Sequence, residues 1–539
     1  MKKYFFISCL FWGIGATVFA QNFTEILGRP TNKSITMSIL FDAATEVYWE
    51  YGTTSGNYTQ KTETYKLAAD TPLEAELTGL NANTKYFYRT RYKASGATGF
   101  LMGTERTFQT PRPPGSTFTF AVEADPHLDE NTTPESYTLT LKNILAKKPD
   151  FLIDLGDDFM VDKLAVKSQS EITKRTIYNR PFFNEVCHTV PLYIVLGNHE
   201  GEAGYFLNGT ANSVPVMATN TRKLYYPNPV PNEFYSGNET PETFVGLREN
   251  YYSWEWGNAL FVVLDPYWYS AKKTAWGYTL GDKQFEWFQK VLSTSKAKFK
   301  FVLCHQLVGG GVDGLDGRGG TEVAHLYEQG GYNLDGSYGF DTNRPGWKKT
   351  INAIMKENKV TLFLHGHDHF YGKQEKDGLI FQEVPQPSAK NITNITGTEY
   401  GYIDGVLMPN RGFLQITVGN EDVKVEYIRT YLPSEEKGNV KNGEVAHSYT
   451  ISANVVTGIN EIKEKEYLKV YPNATKGIVK IEFAEPTTNF DVRLVNTLGQ
   501  ILLETKQNEL DLSQFPNGTY LLNIWTEKYQ FNRKVVVSH

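Results

Sequence analysis

The chain has 539 residues, too many for one core; that length corresponds to about three domains of roughly 100–200 residues. With 40% hydrophobic and 21% charged residues it reads as a folded soluble protein, and 14% aromatics, Tyr and Phe above all, fit β-rich architecture. A formal net charge of −6 without a long basic run excludes the positive footprint of a nucleic-acid binder, so a small anionic substrate must be held by local groups such as metal ions.

Residues 1–20 read as a signal peptide: Lys2 and Lys3 form the positive end, a mostly apolar stretch follows, and Val18, Phe19 and Ala20 precede the cleavage point. No later run reaches about 18 apolar residues, so the mature chain is expected to be exported and to lack a transmembrane segment. Cys9 leaves with the leader. Cys187 and Cys304 are expected to be buried thiols, and the absence of a CxxC pair argues against a thiolate zinc site.

Residues 21–113 are expected to form a β-sandwich, with strands at 34–41, 44–51, 73–80 and 85–92 separated by turn residues. The run LNANTKY at 80–86 resembles the tyrosine corner of fibronectin type III and immunoglobulin-like domains. TPRPPG at 110–115 reads as a stiff linker.

From there to residue 452 the pattern predicts an α/β layered domain. Strands are expected at 118–124, 151–155, 192–196, 299–304, 360–364, 413–418 and 423–428. Helices are expected at 137–146 and at 347–356, the latter opened by Pro345. Polar motifs follow the ends of these strands, where α/β sheets place ligands. The stretch 434–443 reads as an exposed loop and 453–465 as a second linker. Residues 466–539 form another all-β module, with strands at 492–495, 520–525 and 534–537. VYPNATKG at 470–477, Leu498 with Gly499, DLS at 511–513 and PNGTY at 516–520 resemble the C-terminal sorting domain of the bacterial type IX secretion system. The resemblance implies passage through that machinery, then release or attachment at the cell surface.

Five motifs carry the chemistry: Asp125-Pro126-His127, Gly156-Asp157-Asp158, Gly197-Asn198-His199-Glu200, His305, and Gly366-His367-Asp368-His369. Two metal ions about 3.5–4 Å apart can clamp the attacking and leaving oxygens of a phosphate ester, given a bridging carboxylate and a mixed N/O ligand set. Imidazole with carboxylate suits Zn, Fe or Mn without choosing among them.

In this order the motifs resemble the calcineurin-like metallophosphoesterases, which implies an α/β/β/α layered domain between the two β modules. The resemblance assigns Asp125, His127 and His369 to one metal ion, Asn198, His305 and His367 to a second, and Asp157 to a bridge between them. It implies hydrolysis of phosphate monoesters by a metal-held hydroxide. His199 would stabilise developing charge or protonate the leaving oxygen, and Glu200 could orient His199. The fibronectin-like leader, the Glu200 variant and NYYSWEWG at 250–257 further resemble purple acid phosphatases. Those enzymes place a tyrosine three residues beyond the bridging aspartate and usually lack the first histidine, whereas this chain has Met160 and His127 there. A colourless relative is therefore expected, with metal identity and pH optimum open.

Other residues carry weaker expectations. Arg318, in the glycine-rich run 309–320, either grips phosphate bidentately or belongs to a flexible surface loop. His365 is expected to pack. His188, His325, His447 and His539 are expected to be structural or solvated, Asp129 to be a solvated loop carboxylate, and Asp158 to satisfy backbone donors. Two further readings stay open: a phosphodiesterase acting on nucleotides, lipids or wall polymers, and a surface binding protein with a merely structural metal site.

Overall fold

A computed structural model describes residues 21–273, 275–309, 317–438, 440–453, 468–483, 490–496, 501–526 and 530–539. The expected signal peptide with Cys9, residues 454–465 of the second linker, the Leu498-Gly499 motif and residues 310–316 lie outside them.

Two sheets stack face to face in the central domain. In the first, the parallel strands Phe118–Glu123, Phe151–Asp154 and Leu192–Ile194 lie side by side, bordered by the antiparallel Gly412–Val418, Asp422–Arg429 and Val445–Ser452. In the second, Ala259–Val263, Phe299–Leu303, Leu362–His365 and Leu379–Glu383 are parallel neighbours.

Strand alternation explains the layers. Phe118, Phe120, Val122, Phe151, Ile153 and Tyr193 point from the first sheet into the space between the sheets. There they meet Trp254, Phe261, Phe301, Leu303, Leu362 and Leu364 of the second. Tyr193 stacks on Trp254 at 4.1 Å, and Phe120 stands edge-on to Phe261 at 5.1 Å. Each such ring contributes about 1.5–3 kcal/mol by burial.

The intervening residues Ala121 and Leu152 belong instead to a core shared with the helices Pro134–Lys147 and Arg180–Cys187. Leu260, Val262, Val302 and Phe363 likewise share a core with Asp282–Thr294 and Ile351–Glu357. The order is therefore helix, sheet, sheet, helix. Cys187 and Cys304 are buried thiols.

Local chemistry sets the helix ends. Thr133 caps Pro134–Lys147 by accepting from Ser136 N, with Pro134 in the first turn. The helix expected at 347–356 begins later, at Ile351, because Thr350 caps it by accepting from Ala353 N at 3.2 Å; Pro345 opens nothing.

The N-terminal residues pack a small sheet, built on Thr45–Gly52 and Lys85–Ala94, against the end of the first central sheet formed by Phe23–Gly28, Ile35–Phe41 and Leu73–Leu77, with Trp49, Tyr86, Tyr88 and Phe108 in the core between them. The Tyr86 hydroxyl accepts from Asn81 N at 2.9 Å, the tyrosine-corner contact the sequence suggested. A strand the sequence reading missed, Phe23–Gly28, pairs in parallel with Leu192–Ile194 and so extends the first central sheet. The proline-rich run is pinned as well, since Arg112 grips Asp150 through two 2.8 Å bonds.

Candidate metal centre

Every motif sits just past the C-terminal end of a central strand: Asp125 after Phe118–Glu123, Asp157 after Phe151–Asp154, Asn198 after Leu192–Ile194, His305 after Phe299–Leu303, and His367 after Leu362–His365. The chain turns sharply there. Asp125, His127, Asp157, His367 and His369 have φ of 59°, 50°, 65°, 79° and 60°, a region costly for side-chain-bearing residues and concentrated at functional sites. Two glycines permit the approach of these turns: a Cβ on Gly366 would collide with Asp125 Oδ2, and one on Gly197 with Asp157 Oδ1. Backbone amides fix both aspartates, His367 N donating to Asp125 Oδ2 and His199 N to Asp157 Oδ1, each at 2.8 Å.

The side chains converge on two adjoining points. Asp125, His127 and His369 form one cluster; Asp157, His305 and His367 form another; His127, Asp157 and His199 form a third between them. His369 Nε2 lies 3.3 Å from Asp125 Oδ1, His127 Nε2 3.4 Å from Asp157 Oδ2, and His305 Nε2 3.2 Å from Asp157 Oδ2. Asn198 Oδ1 sits 3.1 Å from His305 Nε2. All seven residues expected to hold metal are thus gathered in one place.

A simple test asks whether this set fits metal ions. Asp125 Oδ1, His127 Nε2, Asp157 Oδ2 and His369 Nε2 are buried without a hydrogen-bond partner among the described residues. Such atoms are unfavourable unless something else satisfies them. Their mutual spacing matches donors sharing an ion about 2.0–2.2 Å from each. Burial alone would raise the carboxyls of Asp125 and Asp157, but the surrounding imidazoles, His305 prominent among them, hold both well below the usual range. Burial lowers His367 and His369, whereas the carboxylates beside His127 and His305 raise those two rings. The residues fit.

The outer contacts bring corrections. Glu200, expected to orient His199, does not touch it. Its carboxylate accepts from the backbone of Gly197, Asp157, Asp158 and Phe159, tying the two loops together. His199 Nδ1 instead lies 2.8 Å from Asp162 Oδ1, while its Nε2 faces Asp157 Oδ2 at 3.8 Å. Asp129, expected to be solvated, is 3.1 Å from His127 Nδ1. His305 Nδ1 is 2.9 Å from Leu155 O. Three histidines are thus fixed through the nitrogen that faces away from the cluster, as metal-site histidines usually are.

Asp158 does not use its carboxylate on backbone donors; burial, with Asp154 beside it, pushes it well above the usual range. Arg318 donates to His367 O at 2.7 Å and Asp368 Oδ1 at 3.3 Å, so its guanidinium braces the last motif. His365 packs as expected, 2.8 Å from Glu383. Met160, where a tyrosine ligand would stand in purple acid phosphatases, is buried.

The missed partners had a faint signal: Asp129 lies two residues after His127, and Asp162 five after Asp157. A carboxylate near a ligating histidine is a common arrangement, but spacing alone does not say which carboxylate serves which ring.

Residues 118–371 match the family model of the calcineurin-like phosphoesterases, and residues 469–538 match that of the secretion system C-terminal sorting domain. The chain resembles the solved structure of PhoD with a TM-score of 0.56 at 15% identity, over 80% of this chain and 90% of that one. It resembles the purple acid phosphatase PPD1 from yellow lupin (Lupinus luteus) seeds with a TM-score of 0.52 at 17% identity, over 79% and 74%. At these identities the likeness concerns the fold. No curated protein sequence matches the chain.

Proposed function

From a chain whose residues 118–371 are a calcineurin-like phosphoesterase domain, and which is therefore a hydrolase acting on phosphoric ester bonds, we propose a phosphomonoesterase working at a pair of metal ions outside the cell. The observation that carries this reading is the double cluster around Asp157, with His199 beside it but held by Asp162.

Asp125, His127 and His369 would hold one ion, Asn198, His305 and His367 the other, and Asp157 both. When bound, the pair supplies charge neutralisation and lowers the pKa of water. Zn, Fe and Mn all suit the donors. The remaining work belongs to the chain. Asp162 keeps His199 in one orientation, so that Nε2 faces the place where the leaving oxygen develops charge and can give it a proton. Asp129 and Leu155 O keep His127 and His305 turned inward. Glu200 holds the Asp157 and His199 loops at a fixed spacing.

A monoester dianion suits this site because it carries the most charge for the donors and ions to offset. The sorting domain indicates export through the type IX machinery, and release or surface attachment would follow. The test is a two-substrate comparison on metal-loaded protein. p-Nitrophenyl phosphate should turn over at least tenfold faster than bis-p-nitrophenyl phosphate. Preference for the diester would replace this reading with a phosphodiesterase, and no turnover of either would favour a structural metal site.

A further inference from the structure

We propose that Tyr205 is a substrate-contacting residue of this site, its phenolic O–H donating a hydrogen bond to a non-bridging oxygen of the bound phosphoryl group. The proposal rests on the function proposed above.

Tyr205 belongs to the short turn Gly204–Phe206, on the segment that leaves the His199 motif. That turn is pinned. Gly204 N donates to Tyr267 O at 3.0 Å, and a side chain at Gly204 would collide with Trp268 O. Upstream, the segment lies against the loop that carries Asp162: Val161 N donates to His199 O at 2.7 Å, and Gly201 abuts the Val161 side chain. Tyr205 is therefore held on the side of the centre where His199 and Asp162 stand.

Its hydroxyl is the unusual part. Tyr205 Oη is buried, yet has no hydrogen-bond partner among the described residues. Neighbouring phenols are used: Tyr267 Oη bonds Gln306 Oε1 at 3.0 Å, and Tyr269 Oη bonds Glu242 Oε1 at 2.6 Å. Burial, then Tyr278, then the Asp162 and Asp157 charges all act against ionisation of its phenol. Tyr267, which also feels both Asp157 and Tyr205, has its ring 6.4 Å from that of His305. The Lys273 ammonium sits over the Tyr205 ring at 5.4 Å, adding positive charge on the same side. A pinned donor beside the centre, buried and unused, is suited to an anionic oxygen brought by the substrate.

The test is equilibrium binding of inorganic phosphate to metal-loaded wild type, Tyr205→Phe and Tyr269→Phe, with metal content and melting temperature measured on each. Tyr205→Phe keeps the ring and its packing against Lys273. It should bind phosphate about tenfold more weakly with metal content unchanged, and KM for p-nitrophenyl phosphate should rise in step. Tyr269→Phe should behave as wild type. Wild-type phosphate affinity in Tyr205→Phe, an equal loss in Tyr269→Phe, or no phosphate binding by wild type would overturn the proposal. If phosphate binding depends on Tyr205 while no ester is hydrolysed, the contact stands and the proposed activity falls.

Discussion

His199 and Asp162 show how much of this site depends on contacts outside the motifs. His199 Nδ1 lies 2.8 Å from a carboxylate that no motif contains. Asp162→Asn keeps the shape but removes the charge that fixes the ring and its tautomer. Turnover should fall about 10–100-fold with both ions retained, as measured by steady-state rates alongside metal analysis. An unchanged rate would show that the pair does not set the histidine's role. The convergence of the seven candidate donors was legible because their motifs follow apolar strands in one fixed order. Asp162 was not, because its role depends on how the Met160 turn, at φ 47°, folds back toward His199. Glu200 was misread for the same reason: adjacency in sequence suggested a contact with His199, whereas the turn aims its carboxylate at backbone amides.

Among the elements, the segment between Glu200 and Asn250 carries none of the five motifs, and burial explains why it is ordered. Its helix Val214–Tyr225 carries Arg222, which bonds Glu202 at 2.6 Å, and Arg248 bridges Glu202 at 3.1 Å and Asp265 at 2.8 Å. All four are buried. Glu202→Ala leaves the buried Arg222 without its carboxylate partner, while Arg248 keeps Asp265, and should lower stability by about 3–5 kcal/mol in denaturant melts.

A second element-scale effect concerns Arg180–Cys187, whose end carries His188. Burial holds this imidazole down to about 4. Its unfolded value is near 6.5, so the unfolded chain takes up the proton first as pH falls. The associated stability is whole above pH 6.5 and lost progressively down to about pH 4. The melting temperature should drop between pH 7 and pH 4.5, and drop less in His188→Gln. An equal drop in both would place the acid sensitivity elsewhere. Strands in this domain were easy to read where apolar runs are unbroken. Tyr252–Trp256 was seen only within the motif at 250–257, and the strand Ala259–Val263 and the helix Asp282–Thr294 not at all.

For the whole molecule, composition and linkers suggest a three-part division but do not say how its parts meet. Parallel pairing of Phe23–Gly28 with Leu192–Ile194 links segments more than a hundred residues apart, and no local pattern encodes such a partner. At the joint, Tyr88 Oη donates to His188 O at 2.6 Å, and the buried Arg180 donates to Thr24 Oγ1 at 2.9 Å. The N-terminal module is thus packed onto the catalytic domain, buttressing the sheet that carries Asp157 and Asn198.

The proposed phosphomonoesterase depends above all on Asp157 standing between two clusters of candidate metal ligands. The most direct measurement is metal content per chain, taken together with p-nitrophenyl phosphate hydrolysis, for wild type, Asp157→Asn and His199→Ala. Two ions and active hydrolysis are expected in wild type, loss of both in Asp157→Asn, and retained ions with slow turnover in His199→Ala. An Asp157→Asn protein that keeps two ions and wild-type rates would show that Asp157 does not join the two sites.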